Sequence, residues 1–148
     1  MKVEYFNPNR VLKPDEIPMI AEFLHNELEQ YGDSCNDITK AICHAMKCTN
    51  GNQKGVVAVM SDSNQIIGAA VVNSTGMEDY IPENILVYIA IHHKYRGHGF
   101  GKQLLSAVLK QVEGDVALHV DPVNPAIHMY NSIGFKNKYI EMRLSRKE

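Results

Sequence analysis

The sequence predicts an α/β fold in which a mixed β-sheet is covered by helices, and three observations lead to this prediction. Short apolar runs rich in β-branched residues alternate with longer segments whose apolar residues recur every three or four positions. The apolar run 85–91 leads through a glycine-rich turn directly into such a helical segment. The chain has 148 residues, of which 45% are hydrophobic, so residues 1–148 are expected to form a single domain with its own core.

The first half of the chain predicts one strand and two helices. Residues 2–6 alternate polar and apolar side chains, as a strand does. A helix is predicted to begin at Pro14, because proline is tolerated in the first helical turn. A second helix is predicted to begin at Ser34, with Asp37 three residues further on in a weaker form of the capping box. The polar composition of residues 49–55 predicts a loop.

The second half of the chain alternates strand and helix patterns. The strand that follows the long helix is expected to lie parallel beside residues 85–91, because the helix provides a crossover connection. A short helix and a final strand that closes the sheet complete the pattern. The apolar face of the long helix is formed by Leu104, Leu105, Val108, Leu109 and Val112. The predicted ranges are hairpin strands 55–60 and 66–72, loop 73–83, strands 85–91 and 116–120, helix 126–132 and strand 135–144.

Composition and charge argue against several classes of protein. A net charge of −2 gives no broad basic surface for nucleic acid. No apolar run approaches the roughly 20 residues of a membrane span, so no membrane association is expected. The chain has three cysteines, all in one short segment. This odd number favours reduced thiols and a cytoplasmic location. His44 and Cys48 lie one helical turn apart without a second ligand pair, so no metal site is predicted.

The glycine-rich turn RGHGFGK, residues 96–102, has the features of a phosphate-binding site. Gly97, Gly99 and Gly101 permit positive φ angles and a close approach of a ligand to the main chain. The first N–H groups of a helix have no intrahelical partner and carry partial positive charge, which suits a pyrophosphate. Arg96 and Lys102 add full charges on either side. The glycines alone are equally compatible with a tight turn that binds nothing.

Two familiar phosphate-binding motifs do not fit this turn. The nucleoside-triphosphate P-loop requires Ser or Thr after its lysine, but Gln103 follows Lys102. The dinucleotide motif GxGxxG, begun at Gly97, requires a third glycine where Lys102 stands. The pattern that does fit is Arg-x-x-Gly-x-Gly, from Arg96 to Gly101, placed after a strand and before a helix.

In this context the motif resembles the acetyl-CoA motif Gln/Arg-x-x-Gly-x-Gly/Ala of the GNAT superfamily of N-acetyltransferases. A second segment, residues 124–135 (NPAIHMYNSIGF), is similar to the Asn, Ala, Tyr and Gly-Phe pattern late in that fold. The resemblance covers nearly the whole chain. It implies a three-layer fold with a mixed central sheet of about six or seven strands flanked by about four helices. The sheet is expected to splay between its fourth and fifth strands.

The resemblance implies acetyl-CoA as the co-substrate, held largely by the main chain. The strand residues would pair with the amides of the pantetheine arm, and the turn would offer N–H groups to the pyrophosphate. Asn124 matches the asparagine usually credited with a pantetheine contact, although the loop to Tyr130 is one residue shorter than is common. The expected cofactor-binding residues are Ile89, Ala90, Ile91, Arg96, Gly97, His98, Gly99, Phe100, Gly101, Lys102 and Asn124.

Tyr130 is the expected general acid, because the family places this role at the corresponding tyrosine. A phenol with a pKa near 10 is suited to protonate a leaving thiolate whose pKa lies near 8 to 9. The general base is less defined, since residues 85–91 contain no carboxylate. Glu83 and Tyr88 are the candidates, with solvent as the alternative. A backbone N–H near the strand bulge, around Ile91, would meet the oxyanion.

The expected reaction is transfer of an acetyl group from acetyl-CoA to a primary amine by direct attack in a ternary complex. A cationic small-molecule or peptide amine would be attracted by acidic residues in the loops expected to surround the cleft. The alternative is a catalytically reduced acyl-CoA-binding sensor or regulatory module, which the missing strand carboxylate favours. Edge strands could also pair between chains to form a homodimer. The acidic loop residues are Asp33, Asp37, Glu78, Asp79 and Glu83.

Overall fold

The computed structural model describes residues 1–49 and 51–147 of the chain. These residues form seven strands and four α-helices. In chain order they are β1 (Lys2–Phe6), α1 (Glu16–Leu28), α2 (Cys35–Ala45), β2 (Cys48–Thr49), β3 (Asn52–Gln53), β4 (Gly55–Asp62), β5 (Gln65–Ser74), β6 (Asn84–Ile91), α3 (Phe100–Leu109), β7 (Val116–Leu118) and α4 (Ile127–Ile133).

The centre of the fold is a five-stranded sheet in the order β1-β4-β5-β6-β7, and β2 and β3 form a separate hairpin. The strands from β1 to β6 run antiparallel to their neighbours in this sheet, whereas β7 runs parallel to β6. Because α3 connects the two parallel strands, the predicted crossover through a helix is confirmed. Ser63 and Asn64 form the turn between β4 and β5 with φ angles of 50° and 66°, which suit a two-residue hairpin turn.

Two apolar cores lie on opposite faces of the sheet and give the fold three layers. On one face α1 and α2 pack through Leu24 and Ile38, which are fully buried. On the other face α3 packs through Leu104 and Leu105, also fully buried, and α4 lies beside it. Residues 56–60 of β4 and 69–72 of β5 alternate between the two cores, as the strand period of two requires. The predicted α/β class is therefore confirmed.

The start of α2 agrees with the capping pattern in the sequence. Ser34 has extended backbone angles, and its Oγ accepts a hydrogen bond from the Asp37 N–H at 3.2 Å. α1 begins at Glu16, slightly later than the predicted start at Pro14. The Glu16 carboxylate instead accepts a hydrogen bond from the Lys13 N–H at 2.8 Å, in the turn that precedes the helix.

The final strand predicted for residues 135–144 is wrong. Ile140, Met142 and Leu144 are 86%, 89% and 78% exposed, and no described strand pairs with this segment. An alternation of apolar and charged side chains forms a strand only where another strand supplies hydrogen bonds. Within the described residues the sheet ends at β7, whose outer edge has no strand partner.

Several shorter features differ from the predicted boundaries. The loop predicted for residues 49–55 contains part of the β2–β3 hairpin, while Asn50 lies outside the described residues. β7 ends at Leu118 instead of residue 120, and α3 ends at Leu109, before Val112. Strands of two or three residues are too short to show a periodic pattern, which explains why their limits were missed.

The predicted splay between the fourth and fifth strands of the sequence pattern is confirmed at β6 and β7. Their parallel ladder has three pairs and ends at Leu86↔Leu118. Beyond it, residues 88–91 pair only with β5 among the described residues, and Val87 has no paired residue on either side. An opening therefore begins in the second half of β6. None of the described helices is long and apolar enough to cross a membrane.

Candidate active site

β6 carries a bulge in the middle of its pairing with β5. The partner strand pairs with Leu86 and with Tyr88 but skips Val87. A bulge breaks the strict alternation of side chains, and both Val87 and Tyr88 lie on the face covered by α1 and α2. The sequence analysis placed the bulge near Ile91, whereas the structure places it at Val87, where the splay begins.

The open side of β6 presents main-chain groups from alternate residues. The His92 N–H donates to the Ile67 carbonyl at 2.8 Å. Hydrogen-bonded and non-hydrogen-bonded pairs alternate along an antiparallel ladder, so they alternate along β6 from His92. The N–H and C=O groups of Ile89 and Ile91 therefore point away from β5, and those of Ala90 point toward it. The expected main-chain contacts with a ligand are thus possible at both groups of Ile89 and at the N–H of Ile91, whose carbonyl accepts a hydrogen bond from Arg96 Nε. Ala90 offers the cleft no free main-chain group.

The glycine turn has the geometry of an anion-binding site. Gly97 and Gly99 have φ angles of 81° and 83°, and no atom lies within 4 Å of the position that a Cβ would take at either residue. Gly99 directly precedes α3. The N–H groups of residues 98–102 have no hydrogen-bond partner among the described residues, as expected for an uncapped helix start. His98 and Lys102 are exposed beside these groups.

Gly101 serves a different purpose from the two glycines before it. A Cβ at this position would lie 3.0 Å from Met129 Sδ and 3.6 Å from Ile91 Cγ1. The absence of a side chain lets the first turn of α3 pack closely against α4 and the end of β6. Phe100 lies next to it with its ring centroid 6.3 Å from that of Tyr95.

The Arg96 side chain holds the glycine turn to the rest of the fold. Its Nε donates to the Ile91 carbonyl at 3.0 Å, and its Nη2 donates to the Glu27 carbonyl at 2.7 Å. The guanidinium group thereby joins the end of β6 to the last turn of α1. Two of its donors are engaged by the protein itself, so Arg96 has a structural role in this turn.

Glu27 completes this connection from α1. Its carboxylate accepts hydrogen bonds from the His93 N–H at 3.2 Å and from His93 Nδ1 at 2.6 Å. Burial alone would raise the pKa of Glu27, but the hydrogen bonds from the His93 ring and N–H outweigh it and hold the pKa below its usual value. Glu27 is therefore a charged residue that anchors the turn.

Glu27, His92 and His93 also form the single group of potential metal ligands found among the described residues, with ligand atoms within 4.8 Å of one another. The two imidazole rings are stacked, with centroids 4.3 Å apart and planes at 20°. A metal ion must lie close to the plane of each ring that binds it, so stacked rings cannot share one ion in this arrangement. His92 Nδ1 also accepts a hydrogen bond from the Lys94 N–H at 3.1 Å.

Tyr130 lies in α4 on the α3 face of the sheet. Its ring packs edge-on against Phe135 with centroids 5.9 Å apart. Its hydroxyl has no hydrogen-bond partner in the described part of the chain. Burial raises the pKa of Tyr130 above its usual value, so the phenol keeps its proton at neutral pH.

Asn124 lies in the loop that enters α4. Its Oδ1 accepts a hydrogen bond from the Ala126 N–H at 2.9 Å, and its carbonyl accepts one from the Ile127 N–H at 3.2 Å. These bonds fix the start of the helix that carries Tyr130. The amide Nδ2 has no partner among the described residues, so Asn124 keeps one donor for a ligand.

Tyr88, one of the two candidate bases, donates a hydrogen bond from its hydroxyl to Asp33 Oδ2 at 2.5 Å. Burial raises the pKa of Tyr88 well above its usual value, and the bond to Asp33 adds to this effect. The phenol is therefore a poor base at neutral pH. Asp33, which the sequence analysis names only as one of several acidic loop residues, is brought to the central strand by this contact.

Glu83, the other candidate base, is held by main-chain groups before β6. Its Oε2 accepts the Asp79 N–H at 2.9 Å, and its Oε1 accepts the Asp115 N–H at 2.7 Å. These two bonds lower the pKa of Glu83. The residue also borders an open depression of about 830 Å³ at the paired end of β6. That depression is lined in addition by residues such as Lys54 and Glu113, which lie away from the splay.

Sequence reasoning missed Glu27 altogether, although a signal was present. Leu24 and Leu28 mark the buried face of α1, and Glu27 lies three residues after Leu24 on the same side of the helix. A charged residue at such a position requires a partner, because burying an unpaired charge costs several kcal/mol, on the order of the desolvation of an ion. The sequence does not identify His93 as that partner.

Residues 53–137 match the family model described as an acetyltransferase (GNAT) domain. The match covers more than half of the chain, and the chain therefore belongs to the GNAT acetyltransferase family. The family predicted from the motif at residues 96–101 is thereby confirmed. A comparison with curated proteins gives no match.

Solved structures of similar fold come from proteins named for different functions. An aminoglycoside N-acetyltransferase in complex with CoA has a TM-score of 0.68 at 15% identity, covering 99% of this chain and 95% of that chain. A ribosomal-protein-alanine N-acetyltransferase from Brucella melitensis biovar Abortus 2308 has a TM-score of 0.62 at 12% identity, covering 98% and 99%. A transcriptional regulator from Bacillus halodurans C-125 has a TM-score of 0.68 at 17% identity, covering 97% and 99%. At these identities the likeness establishes the GNAT fold alone.

Proposed function

We propose that the protein is an N-acetyltransferase that moves an acetyl group from acetyl-CoA to a primary amine by direct attack in a ternary complex. The observation that carries this proposal is the juxtaposition of an open strand edge with a row of unpartnered helix-start amides. The edge is formed by residues 87–91 of β6, and the amides belong to residues 98–102. Family membership supports the same reaction class.

The residues present fit acetyl-CoA as the co-substrate, which supplies the acetyl thioester. The main-chain groups of Ile89 and the N–H of Ile91 would bind the pantetheine arm like an added strand. The amides of residues 98–102, with Lys102 beside them, would bind the pyrophosphate. Asn124 Nδ2 would add a side-chain donor near the same cleft. Arg96 would act mainly by holding the turn in place through its bonds to the Ile91 and Glu27 carbonyls.

Tyr130 would protonate the thiolate sulfur as the carbon–sulfur bond breaks. The side chain is suited to this task because burial keeps it in the phenol form and its hydroxyl is not engaged by the protein. General acid catalysis of this kind contributes roughly 10²–10⁴-fold to the rate. A main-chain N–H of β6 at the bulge around Val87 would bind the oxyanion.

Glu83 and Tyr88 fit structural roles better than the role of general base. Both oxygens of Glu83 accept main-chain hydrogen bonds, and the lowered pKa makes the carboxylate a weaker base. Tyr88 is a hydrogen-bond donor whose raised pKa keeps it protonated. The acceptor nitrogen therefore loses its proton to another group or to water.

The acceptor is proposed to be a cationic primary amine on a small molecule or a peptide. Asp33 lies at the α1–α2 side of the cleft and Asp37 lies in the first turn of α2, so negative charge is concentrated there. Two of the structurally similar enzymes are named for an aminoglycoside and for an alanine of a ribosomal protein. The Michaelis constant for a polycationic amine should rise with salt concentration, because ions screen this attraction. A constant independent of ionic strength would argue against the cationic acceptor.

A second candidate function is an acyl-CoA-binding sensor or regulatory module. The absence of a carboxylate from β6 and the structural likeness to a transcriptional regulator favour it. A sensor would bind acetyl-CoA with no amine-dependent release of CoA. The free hydroxyl of Tyr130 and the carboxylate of Asp33 at the strand are the features that favour the enzyme.

The assembly and location are further parts of the proposal. The chain is proposed to act as one domain in the cytoplasm, where Cys35, Cys43 and Cys48 would remain free thiols, as they are in the structure. The exposed apolar residues of the C-terminal segment and the open edge of β7 favour a homodimer in which a second chain covers them. Light scattering should show that the wild type is a dimer and that Ile140→Asp is a monomer. A monomeric wild type would contradict this assembly.

The function is tested by measuring release of the CoA thiol with a panel of amines. Kanamycin, spermidine and a peptide with an N-terminal alanine sample the small-molecule and peptide classes. Amine-dependent thiol release, with an acetylated amine found by mass spectrometry, is the expected result. Binding of acetyl-CoA without any turnover on a broad amine panel would support the sensor instead.

A further inference from the structure

The fold brings the carboxylate of Asp33 to the middle of the central strand, where it bonds the Tyr88 hydroxyl. Asp33 belongs to the connection between α1 and α2, yet its Oδ2 accepts the hydroxyl hydrogen of Tyr88. Tyr88 is the first paired residue after the bulge at Val87, where β6 and β7 begin to separate. A carboxylate absent from the strand sequence is thus supplied from a loop.

Besides the Tyr88–Asp33 bond, two contacts hold the α1–α2 connection over the opening. His25 Nδ1 lies 3.0 Å from the Asp33 carbonyl and donates to it, which fixes the main chain of Asp33. The Tyr31 hydroxyl donates to the Val123 carbonyl at 3.5 Å, in the loop after β7. The connection therefore reaches both β6 and the far side of the splay. Asp33 lies at this crossing point with its side chain fixed by Tyr88.

The two oxygens of Asp33 differ in what they can do. Oδ2 is occupied by the Tyr88 hydroxyl, whereas Oδ1 has no hydrogen-bond partner among the described residues. The side chain is exposed, so an amine can reach it from solvent. Burial raises the pKa of Tyr88, so the phenol keeps its proton and acts as the donor to Asp33 Oδ2.

We propose that Asp33 is the group that accepts the proton of the attacking nitrogen, and that Tyr88 is its positioning residue. This inference rests on the proposed acetyltransferase function. The neutral amine nitrogen uses its lone pair to form the carbon–nitrogen bond, and the carbonyl electron pair moves to oxygen. The nitrogen, now positively charged, transfers one proton to Asp33 Oδ1. The carbonyl re-forms, the carbon–sulfur bond breaks with its electron pair on sulfur, and Tyr130 protonates the sulfur.

The protons balance at the end of the cycle. Asp33 releases its proton to water, and the Tyr130 phenolate recovers a proton from water. The net change is the transfer of one proton from nitrogen to sulfur, together with the acetyl group. The acid and the base lie on opposite faces of the sheet, Tyr130 with α3 and Tyr88 with α1 and α2. The opening beyond the last β6–β7 pair is where a bound substrate would reach both residues.

The test compares Asp33→Asn with Asp15→Asn in the full chain. Both substitutions remove one carboxylate, but Asp15 lies at the opposite end of α1, roughly 20 Å along a helix of this length. With the best amine of the panel, Asp33→Asn should lower kcat about 10²-fold or more. The calorimetric dissociation constant for acetyl-CoA should stay within about twofold of the wild type, or under 0.5 kcal/mol. Asp15→Asn should match the wild type in both measurements.

Tyr88→Phe tests the positioning role, because phenylalanine fills the same space without the hydroxyl. It should lower kcat roughly tenfold in the wild-type background and have no further effect in the Asp33→Asn background, as for two residues that act as one unit. An effect of equal size in both backgrounds would mean that Tyr88 acts independently of Asp33.

The outcomes separate this inference from the proposed function. If Asp33→Asn keeps the wild-type kcat, or raises only KM for the amine, Asp33 attracts the substrate and is not the base, while the enzyme remains an acetyltransferase. If the wild type binds acetyl-CoA and acetylates none of the amines, this result contradicts the catalytic role of Asp33 and supports the sensor function. If the wild type does not bind acetyl-CoA, both the inference and the proposed function are overturned.

Discussion

The two sides of the cleft use different chemical groups, main-chain groups on one side and side chains on the other. The side proposed for acetyl-CoA uses main-chain groups of β6 and of the glycine turn, which are adjacent in sequence. The side proposed for the amine uses the Tyr88 and Asp33 side chains, which lie 55 residues apart along the chain. A site made of main-chain groups needs only backbone geometry and tolerates different side chains. A site made of side chains depends on how distant segments pack.

Tyr130→Phe should have the largest effect, because it removes a group proposed for turnover and leaves the groups proposed for acetyl-CoA binding intact. Loss of the phenolic proton should lower kcat about 10²-fold or more while leaving acetyl-CoA affinity unchanged, because the aromatic ring still packs on Phe135. Steady-state kinetics and calorimetry measure the two effects. Tyr80→Phe is the matched control, since Tyr80 is 80% exposed in the loop before β6. Turnover within about threefold of the wild type would exclude Tyr130 as the general acid.

Two alanine substitutions separate the roles of the glycines in the turn. Gly99→Ala forces a side chain onto a φ of 83° and should lower the free energy of unfolding by about 1–2 kcal/mol. Gly101→Ala meets the flexible Met129 side chain at 3.0 Å and gains helix propensity, so its cost should stay below about 1 kcal/mol. Urea unfolding compares the two directly. A larger cost at Gly101 would mean that close packing, rather than backbone conformation, dominates the turn.

Glu27→Gln tests the connection between the two sides through α1. The folded-state pKa of Glu27 is lowered, so its contribution to stability is present above the unfolded value of 4.5 and is lost as the pH falls through the folded value. At pH 7 the variant should be less stable by about 1 kcal/mol, because the hydrogen bonds to His93 lose their charge. The difference should shrink in thermal unfolding below about pH 4.5. A difference that is constant from pH 7 to pH 3 would contradict this role.

The main-chain side of the site was largely predictable from the sequence. The apolar run 85–91, the three glycines and the helical period after them occupy one continuous stretch, so local rules suffice. Ser34 was predictable as a helix cap for the same reason, since its partner is the nearby Asp37 N–H. The parallel placement of β7 followed from the crossover helix.

The side-chain part of the site was not predictable, because its contacts join distant segments. The sequence offers Asp33 as one acid among several and does not show that Tyr88 binds it. Glu83 resembled a candidate base by position, but its main-chain partners come from the turns at Asp79 and Asp115. Residues 135–144 show a strand pattern without the strand partner that would form it. In each case tertiary packing, rather than local preference, decides the outcome.

The most direct test of the account is calorimetric titration of acetyl-CoA into the wild type and into Gly99→Glu. The substitution places a negative charge at the start of α3, where the account expects the pyrophosphate. Gly76→Glu is the matched control, because Gly76 has a φ of 78°, similarly open surroundings and a position outside the glycine turn. We expect micromolar binding by the wild type and by Gly76→Glu, and no binding by Gly99→Glu. Absence of binding to the wild type, or equal binding by all three proteins, would contradict the assignment of the glycine turn as the acetyl-CoA site.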